Sequence, residues 1–220
     1  MARFLKGIHG AYSGKVGNVV GSSWRSVNYV RTLPKKSAKT PTQGQLAQRE
    51  KFSIMASFLS PIQDLLNLGY SDTLQTKATG YNKAFGHAIK HAFTGSYPYF
   101  DIDYSKLIIS RGSSMPLFAA SWMETQPLHV ELSWLRSTSK IMGYNDDSVI
   151  LLVYNVDKKH YNVMETAIRQ DESLDFSFPS IFAGDAIVGW VFTGERDGVK
   201  TSPSYYLGQL HLSTPTGEEE

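Results

Sequence analysis

Two histidines four residues apart, His87 and His91, are the pair in this chain whose types and spacing most resemble a metal site. On a helix this spacing places both imidazoles on one side, as zinc sites require. A metalloprotease helix has a glutamate after the first histidine, but this chain has Ala88 there. The chain has no cysteine, and no carboxylate stands close enough in sequence to complete a ligand set. We therefore predict no metal site and interpret both residues as histidines at the edge of an apolar helix stripe.

A second candidate is the carboxylate pair of Asp101 and Asp103, which could hold a cation or perform acid–base chemistry. Residues two apart in a strand share a face, so we expect both carboxylates to face solvent with Ile102 turned inward. We interpret Asp146 and Asp147 as part of a loop.

The glycines near the N-terminus could suggest a phosphate-binding loop. They lack the Gly-x-x-x-x-Gly-Lys-Ser/Thr spacing, the dinucleotide-binding spacing and a βαβ context. The chain also lacks the Gly-x-Ser-x-Gly turn of serine hydrolases. We predict no catalytic residue, no cofactor and no enzyme activity.

Charge is distributed unevenly along the chain. Up to Phe52 there are ten lysines and arginines and one acid, Glu50, whereas the remaining residues hold twelve bases and nineteen acids. A basic segment of this kind favours docking on something acidic, either nucleic acid or the acidic body of another copy.

The basic segment also contains aromatic residues. A mixture of cations and exposed rings is typical of nucleic-acid binders, which combine phosphate contacts with base stacking. The alternatives are contact with another protein copy, or a solvated basic linker before a helix. The candidate contact residues are Lys15, Trp24, Arg25, Tyr29, Arg31, Lys35, Lys36 and Lys39.

Composition divides the chain into a basic glycine-rich extension (1–39), a helical segment (40–99), a β-rich segment (100–213) and an acidic tail (214–220) that we expect to be disordered. In the extension, Trp24–Arg31 is predicted to form a strand that pairs with Lys15–Val20 as a hairpin. The regular glycine spacing predicts that another backbone approaches closely there.

The helical segment has recognisable start and stop signals. Thr40 is predicted to cap the first helix, with Pro41 at its first position. The pair Ser60-Pro61 predicts a break, and Gly69 is predicted to close a short second helix. A third helix is predicted over 79–93.

The β-rich segment contains about seven short strands, a number typical of an immunoglobulin-like sandwich. The run 149–154 is almost continuously apolar, as expected for a central strand. We predict an α+β fold in which Trp134, Val153, Phe178 and Trp190 share one sandwich core.

Two resemblances support this interpretation. The C-terminal half resembles a fibronectin type III sandwich at 130–134, 152–155 and 187–212, although Trp190 stands where those modules usually have tyrosine. The whole chain resembles a bacterial family of similar length that has no assigned function. The residues that carry this second resemblance are Gly14–Gly17, Gly21–Arg25, Arg31 to Pro34, Thr40–Gln43, Gln48, Arg49, Phe52, Asp103–Lys106 and Ile109–Gly112. The Thr-Pro-x-Gln element is also similar to helices of phage-like structural proteins.

These observations predict a non-enzymatic structural or assembly protein that associates with itself or with partner subunits. The alternatives are a nucleic-acid-binding protein that uses the basic extension, and a ligand- or glycan-binding sandwich. The chain lacks the ~20-residue apolar stretch that spans a bilayer, and its first residues lack the apolar core of a signal peptide. We therefore expect cytoplasmic synthesis, and the sequence specifies no final location.

Overall fold

The structure is a computed structural model that describes residues 3–4, 10–24, 27–35, 39–73, 78–135, 144–198 and 200–214. The chain divides into two compact units, Met1–Gln43 and Gly44–Glu220. Helices and antiparallel sheets are both present, which confirms the α+β class. Within the described ranges, no helix is both long and apolar enough to cross a membrane. Of the predicted disordered tail, only Thr214 falls among the described residues.

Four antiparallel strands form a sheet in the first unit, in the order β1-β2-β3-β4. They are β1 Arg3–Phe4, β2 Tyr12–Val16, β3 Val19–Trp24 and β4 Val27–Thr32.

The predicted hairpin of the first unit is present with different boundaries. A two-residue turn, Gly17-Asn18, joins β2 to β3, and Val16 pairs with Val19 across it. Gly17 has a φ of +56°, which glycine adopts without strain. The range 15–20 is therefore two halves of a tight hairpin rather than one strand. The range 24–31 is also not one strand, because β3 ends at Trp24 and β4 begins at Val27.

A close approach occurs at Gly21 on β3. A Cβ atom on this residue would lie 2.2 Å from the carbonyl oxygen of Tyr12 and 2.6 Å from Cδ2 of the Tyr12 ring. The ring therefore lies over the glycine, and a larger residue there would displace it.

Three α-helices follow β4 in the part of the chain that the structure describes. They are α1 Gln43–Leu59, α2 Gln63–Gly69 and α3 Gly80–His91. A single 3-10 turn at Ser60–Ile62 separates α1 from α2, where the Ser60-Pro61 signal predicts a break. The Thr79 hydroxyl caps α3 by accepting a hydrogen bond from the Asn82 amide at 3.1 Å. Helix α1 begins three residues after Thr40, so the predicted cap at Thr40 is wrong.

Among the described residues, nine strands follow the helices. They are β5 Phe93–Ser96, β6 Tyr99–Ile102, β7 Phe118–Gln126, β8 His129–Leu135, β9 Ser148–Asn155, β10 His160–Ile168, β11 Ser173–Ser177, β12 Ala186–Gly194 and β13 Tyr205–His211. Strands β10-β9-β12-β13 form a four-stranded sheet, β11-β8-β7 a three-stranded sheet, and β5-β6 a hairpin.

The sheet β10-β9-β12-β13 is covered on both faces. Its inner strands β9 and β12 are buried along almost their whole length, and alternate residues of a strand face opposite sides. One side packs on the helices in a helix-side cluster that includes Met55, Phe58, Leu66, Ile150, Leu152, Trp190 and Phe192. The other side packs on the three-stranded sheet in an inter-sheet cluster that includes Trp122, Val130, Leu132, Trp134, Leu151, Val153, Phe178, Ile187 and Val191.

The placement of Trp190 corrects one prediction. Trp134, Val153 and Phe178 share the inter-sheet cluster, whereas Trp190 lies in the helix-side cluster. Trp190 pairs with Leu152, so it faces the helices together with that residue. A strand that is apolar on both faces shows no alternation in its sequence, and a shift of one residue exchanges the faces.

Candidate functional site

Four of the eight predicted contact residues lie together on one face of the N-terminal sheet. Lys15 on β2 and Arg31 on β4 both pair with Val20 of β3, one from each side. Trp24 and Tyr29 occupy the same face, because Trp24 lies four residues from Val20 on β3 and Tyr29 lies two from Arg31 on β4. We call this surface the basic–aromatic face. It consists of Lys15, Val20, Ser22, Trp24, Val27, Tyr29 and Arg31.

The basic–aromatic face is open to solvent. Lys15 and Arg31 are exposed, and Trp24 and Tyr29 remain 47% and 42% exposed. Neighbouring strands lie about 4.8 Å apart, so the backbones of Lys15 and Arg31 are about 10 Å apart across β3. The face therefore places two positive charges beside two accessible rings.

The opposite face of the same sheet also carries exposed apolar side chains. Val16 is 45% exposed and Val30 is 59% exposed. Strand β4 forms one edge of the sheet, and all six of its residues are exposed. The sheet thus exposes apolar groups on both faces and along one edge.

Two of the other four predicted residues fall within the described part of the chain. Lys35 and Lys39 are exposed and lie outside the strands, and Arg25 and Lys36 lie outside the described residues. The unit Met1–Gln43 holds eight lysines and arginines and no aspartate or glutamate.

The second unit carries an acidic pair that the sequence analysis did not identify. Glu131 on β8 is directly opposite Asp175 on β11. Val130 and Leu132 beside Glu131 point into the inter-sheet cluster, so the two carboxylates project from the outer face of the three-stranded sheet. Within the described ranges neither carboxylate forms an ion pair. Opposite like charges destabilise a sheet, so a cation supplied from outside would stabilise this pair.

The structure also shows the two residue pairs that the sequence analysis considered as candidate sites, His87 with His91 and Asp101 with Asp103. The rings of His87 and His91 lie 4.6 Å apart on α3. In the part of the chain that the structure describes, no three His, Cys, Asp or Glu side chains come together to hold a metal. Asp103 does not share a strand face with Asp101, because β6 ends at Ile102. It instead accepts a hydrogen bond from the Ser105 amide and forms an ion pair with Lys106 at 2.8 Å.

A cavity of about 510 Å³ in the second unit is lined by aromatic residues. The Phe58 ring lies 4.9 Å from that of Tyr154 and 5.6 Å from that of Tyr161. The Tyr161 hydroxyl donates to the Phe58 carbonyl, and burial raises the pKa of Tyr104 to about 12. These rings pack on one another as part of the helix-side cluster.

Comparison with solved structures finds small domains that are distant in sequence. The fn3 (fibronectin type III) domain of the human collagen alpha-1(XX) chain is 10% identical with a TM-score of 0.38, over 50% of this chain and 97% of that domain. The fn3 domain of human contactin 1 is 11% identical with a TM-score of 0.35, over 58% of this chain and 98% of that domain. No curated protein matches the chain.

A family model gives the more extensive match, because it covers residues 11–208. This range includes the basic–aromatic face, all three helices and the acidic pair. The resemblance to a family without an assigned function, predicted from the sequence, is therefore confirmed. The chain belongs to DUF6266, a family of unknown function.

Proposed function

We propose that this chain is a structural protein that assembles with further copies of itself through its N-terminal sheet. The observation that supports the proposal is the exposure of apolar groups on both faces of that sheet. Val16 and Val30 are exposed on one face, and Trp24, Val27 and Tyr29 on the other.

A sheet that is exposed to solvent on both faces buries little apolar surface, and burial of apolar surface is what stabilises a domain. Complete burial of one large apolar side chain contributes about 1.5–3 kcal/mol. Small sheets become stable when a hydrophobic face is covered. Contact with another molecule supplies that cover, and the open edge of β4 offers main-chain groups to the same partner.

Charge indicates what covers the basic–aromatic face. The face carries Lys15 and Arg31 in a unit that has no acidic residue, and the second unit presents Glu131 and Asp175 side by side. We assign the acidic pair of a second copy as the docking site of this face. Complementary charges of this kind set the register and the rate of association.

The contact is tested by exchanging charges. The double variant Lys15→Glu/Arg31→Glu and the double variant Glu131→Lys/Asp175→Lys should each shift the protein towards smaller species in sedimentation velocity. A mixture of the two variants should recover the larger species, because each then offers the complement that the other lacks.

The control is Arg49→Glu/Lys159→Glu, which makes the same charge change on exposed residues of the second unit and should leave assembly unchanged. A wild-type protein that is monomeric at high concentration contradicts assembly. Assembly that survives both double variants contradicts the assigned contact.

Single-stranded nucleic acid is the second candidate partner of the basic–aromatic face. The specific observation is that Trp24 and Tyr29 are exposed beside Lys15 and Arg31 on one surface. Stacking of a base on an aromatic side chain contributes about 1–3 kcal/mol. Trp24→Ala should therefore weaken oligonucleotide binding about fivefold or more, and affinity should fall steeply with salt. Equal oligonucleotide affinity of wild type and Trp24→Ala contradicts this candidate.

A further inference from the structure

A second group of cations surrounds a cavity of about 450 Å³ in the unit Gly44–Glu220. It shares no residue with the basic–aromatic face. The side chains that line it include Tyr70, Lys83, His87, Lys90, His91 and Arg111, and no aspartate or glutamate is among the lining residues.

Helix α3 supplies most of the positive charge. Lys83, His87, Lys90 and His91 are spaced by four, three and one residues, which places them on one side of a helix. Gly86 lies on the same side, and a Cβ atom built there would meet nothing within 4 Å. The helix thus borders open space with four basic groups and one residue that has no side chain.

Arg111 reaches this helix from a segment fixed by buried hydrogen bonds. The carbonyl oxygen of Gly69, at the end of α2, accepts bonds from the Arg111 amide at 2.9 Å, the Ser110 hydroxyl at 2.8 Å and the Thr201 hydroxyl at 3.0 Å. Ser110 and Thr201 are completely buried. At Gly112 a Cβ atom would lie only 1.8 Å from the Thr201 carbonyl oxygen, so the backbone that carries Arg111 is tightly packed.

Like charges in this cavity oppose one another. Burial, followed by the charges of His91 and Arg111, lowers the pKa of His87. The Nδ1 atom of His87 is buried and has no hydrogen-bond partner among the described residues. An anion in the cavity would relieve this repulsion and favour the protonated form of His87.

We propose that this cavity binds a phosphate group, free or as a phosphate ester. The guanidinium of Arg111 offers the forked donors that match phosphate oxygens. Lys83 and Lys90 add positive charge for a dianion, and the two imidazoles can donate hydrogen bonds to its oxygens. The volume exceeds that of inorganic phosphate and falls in the range of small-molecule sites, so it leaves room for the organic part of an ester beside Gly86.

The test uses isothermal titration with three probes: inorganic phosphate, phosphoserine and a single-stranded oligonucleotide. Binding of the first or the second probe supports the proposal, and their relative affinities distinguish a free anion from a monoester. Arg111→Ala and Lys90→Gln should each weaken the better-bound of these two probes about tenfold, which is about 1.4 kcal/mol.

Steric and charge controls accompany these variants. Gly86→Leu keeps the charge and fills the cavity, so it should abolish binding while the protein stays folded, as checked by circular dichroism. Lys159→Gln removes one exposed charge elsewhere and should leave binding unchanged.

Three outcomes overturn the proposal. They are the absence of saturable binding of phosphate and phosphoserine, equal affinity of wild type and Arg111→Ala, and binding of the oligonucleotide alone. Failure of assembly through the basic–aromatic face leaves these measurements unaffected, because none of the variants touches that face.

Discussion

The Oδ2 atom of Asp147 lies 3.3 Å from Nε of Arg169, and both side chains are almost fully buried at 1% and 3% exposure. The guanidinium also donates to the carbonyl oxygens of Met115 and Pro116 and to the Thr193 hydroxyl. This ion pair joins the loop before β9 to the end of β10. It therefore fixes one end of the sandwich.

Replacement of Arg169 should lower the free energy of unfolding more than replacement of Asp147. Arg169→Met leaves the Asp147 carboxylate buried without its cation and should cost about 3–5 kcal/mol. Asp147→Asn should cost less, because the guanidinium keeps its other three acceptors and burial already raises the pKa of Asp147. Urea unfolding of the single variants and of the double variant measures this. Strictly additive effects would show that the two residues do not interact.

The two hydrophobic clusters can be separated by double-variant cycles. Trp190→Ala and Trp134→Ala should each cost about 3–5 kcal/mol. The Trp190 ring lies 6.5 Å from that of Phe58, so Trp190→Ala combined with Phe58→Ala should give a non-additive free energy of unfolding. The combination with Trp134→Ala should be nearly additive, because that residue packs on the other side of the sheet. Strong coupling of the two tryptophans instead would contradict the assignment of separate clusters.

Alanine should have opposite effects at two glycines. At Gly189 a Cβ atom would lie 2.8 Å from Cη2 of the Trp122 ring, so Gly189→Ala should overpack the inter-sheet cluster and cost about 1–3 kcal/mol. At Gly86, inside α3, the space is open, and Gly86→Ala should stabilise the protein by up to about 1 kcal/mol through helix propensity. Thermal unfolding of both variants measures the contrast. A stabilising Gly189→Ala variant would be inconsistent with the position of Trp122.

The 450 Å³ cavity lined by α3 and Arg111, here called the cationic cavity, predicts that the protein loses stability in acid. The pKa of His87 is lowered in the folded protein, so the unfolded state binds a proton more readily and acid favours unfolding. The stability that neutral His87 contributes above its unfolded pKa of about 6.5 is therefore lost as the pH falls through that value and below. Lys83, Lys90 and His91 on its own helix, with Arg111 and Tyr70 from the neighbouring segments, are the charged and titratable groups around the cavity.

Urea unfolding at pH 7.5 and 5.5 measures this loss in the wild type and in His87→Gln. The wild type should lose more stability between the two pH values. Sodium sulfate should reduce the loss more than sodium chloride of equal ionic strength does. An identical pH dependence of both proteins would remove His87 as the source.

Local signals in the sequence predicted the break after α1 and the position of α2, because capping and stop residues act within a few positions of the helix end. The predicted start of α1 at Thr40 was wrong. Helix α2 ends at Gly69, and α3 begins at Gly80, one residue after the predicted start at 79. Local signals could not predict which residues of β9 and β12 face the helices and which face the three-stranded sheet. Both strands are apolar on each side, so only the layers that pack on them decide that Trp190 faces the helices.

The candidate sites also depend on contacts that local sequence patterns do not reveal. The cations and rings of the basic–aromatic face were identified from composition, but their common face depends on the register set by the Gly17-Asn18 turn. The cationic cavity was missed because Arg111 is distant in sequence from α3. Its position results from the hydrogen bonds at the Gly69 carbonyl, and the spacing of His87 and His91 alone gave no sign of it.

The burial of β9 and β12 on both faces restricts how this chain can be shortened. A fragment that began at residue 100 would retain every strand of both large sheets, yet it would expose Ile150, Leu152, Val188, Trp190 and Phe192 to water. Such a fragment would aggregate when expressed alone, because a large contiguous apolar surface promotes association. Helices α1, α2 and α3 are thus as necessary for the solubility of the sandwich as its own strands are, and any insertion or exchange of this module must carry them with it.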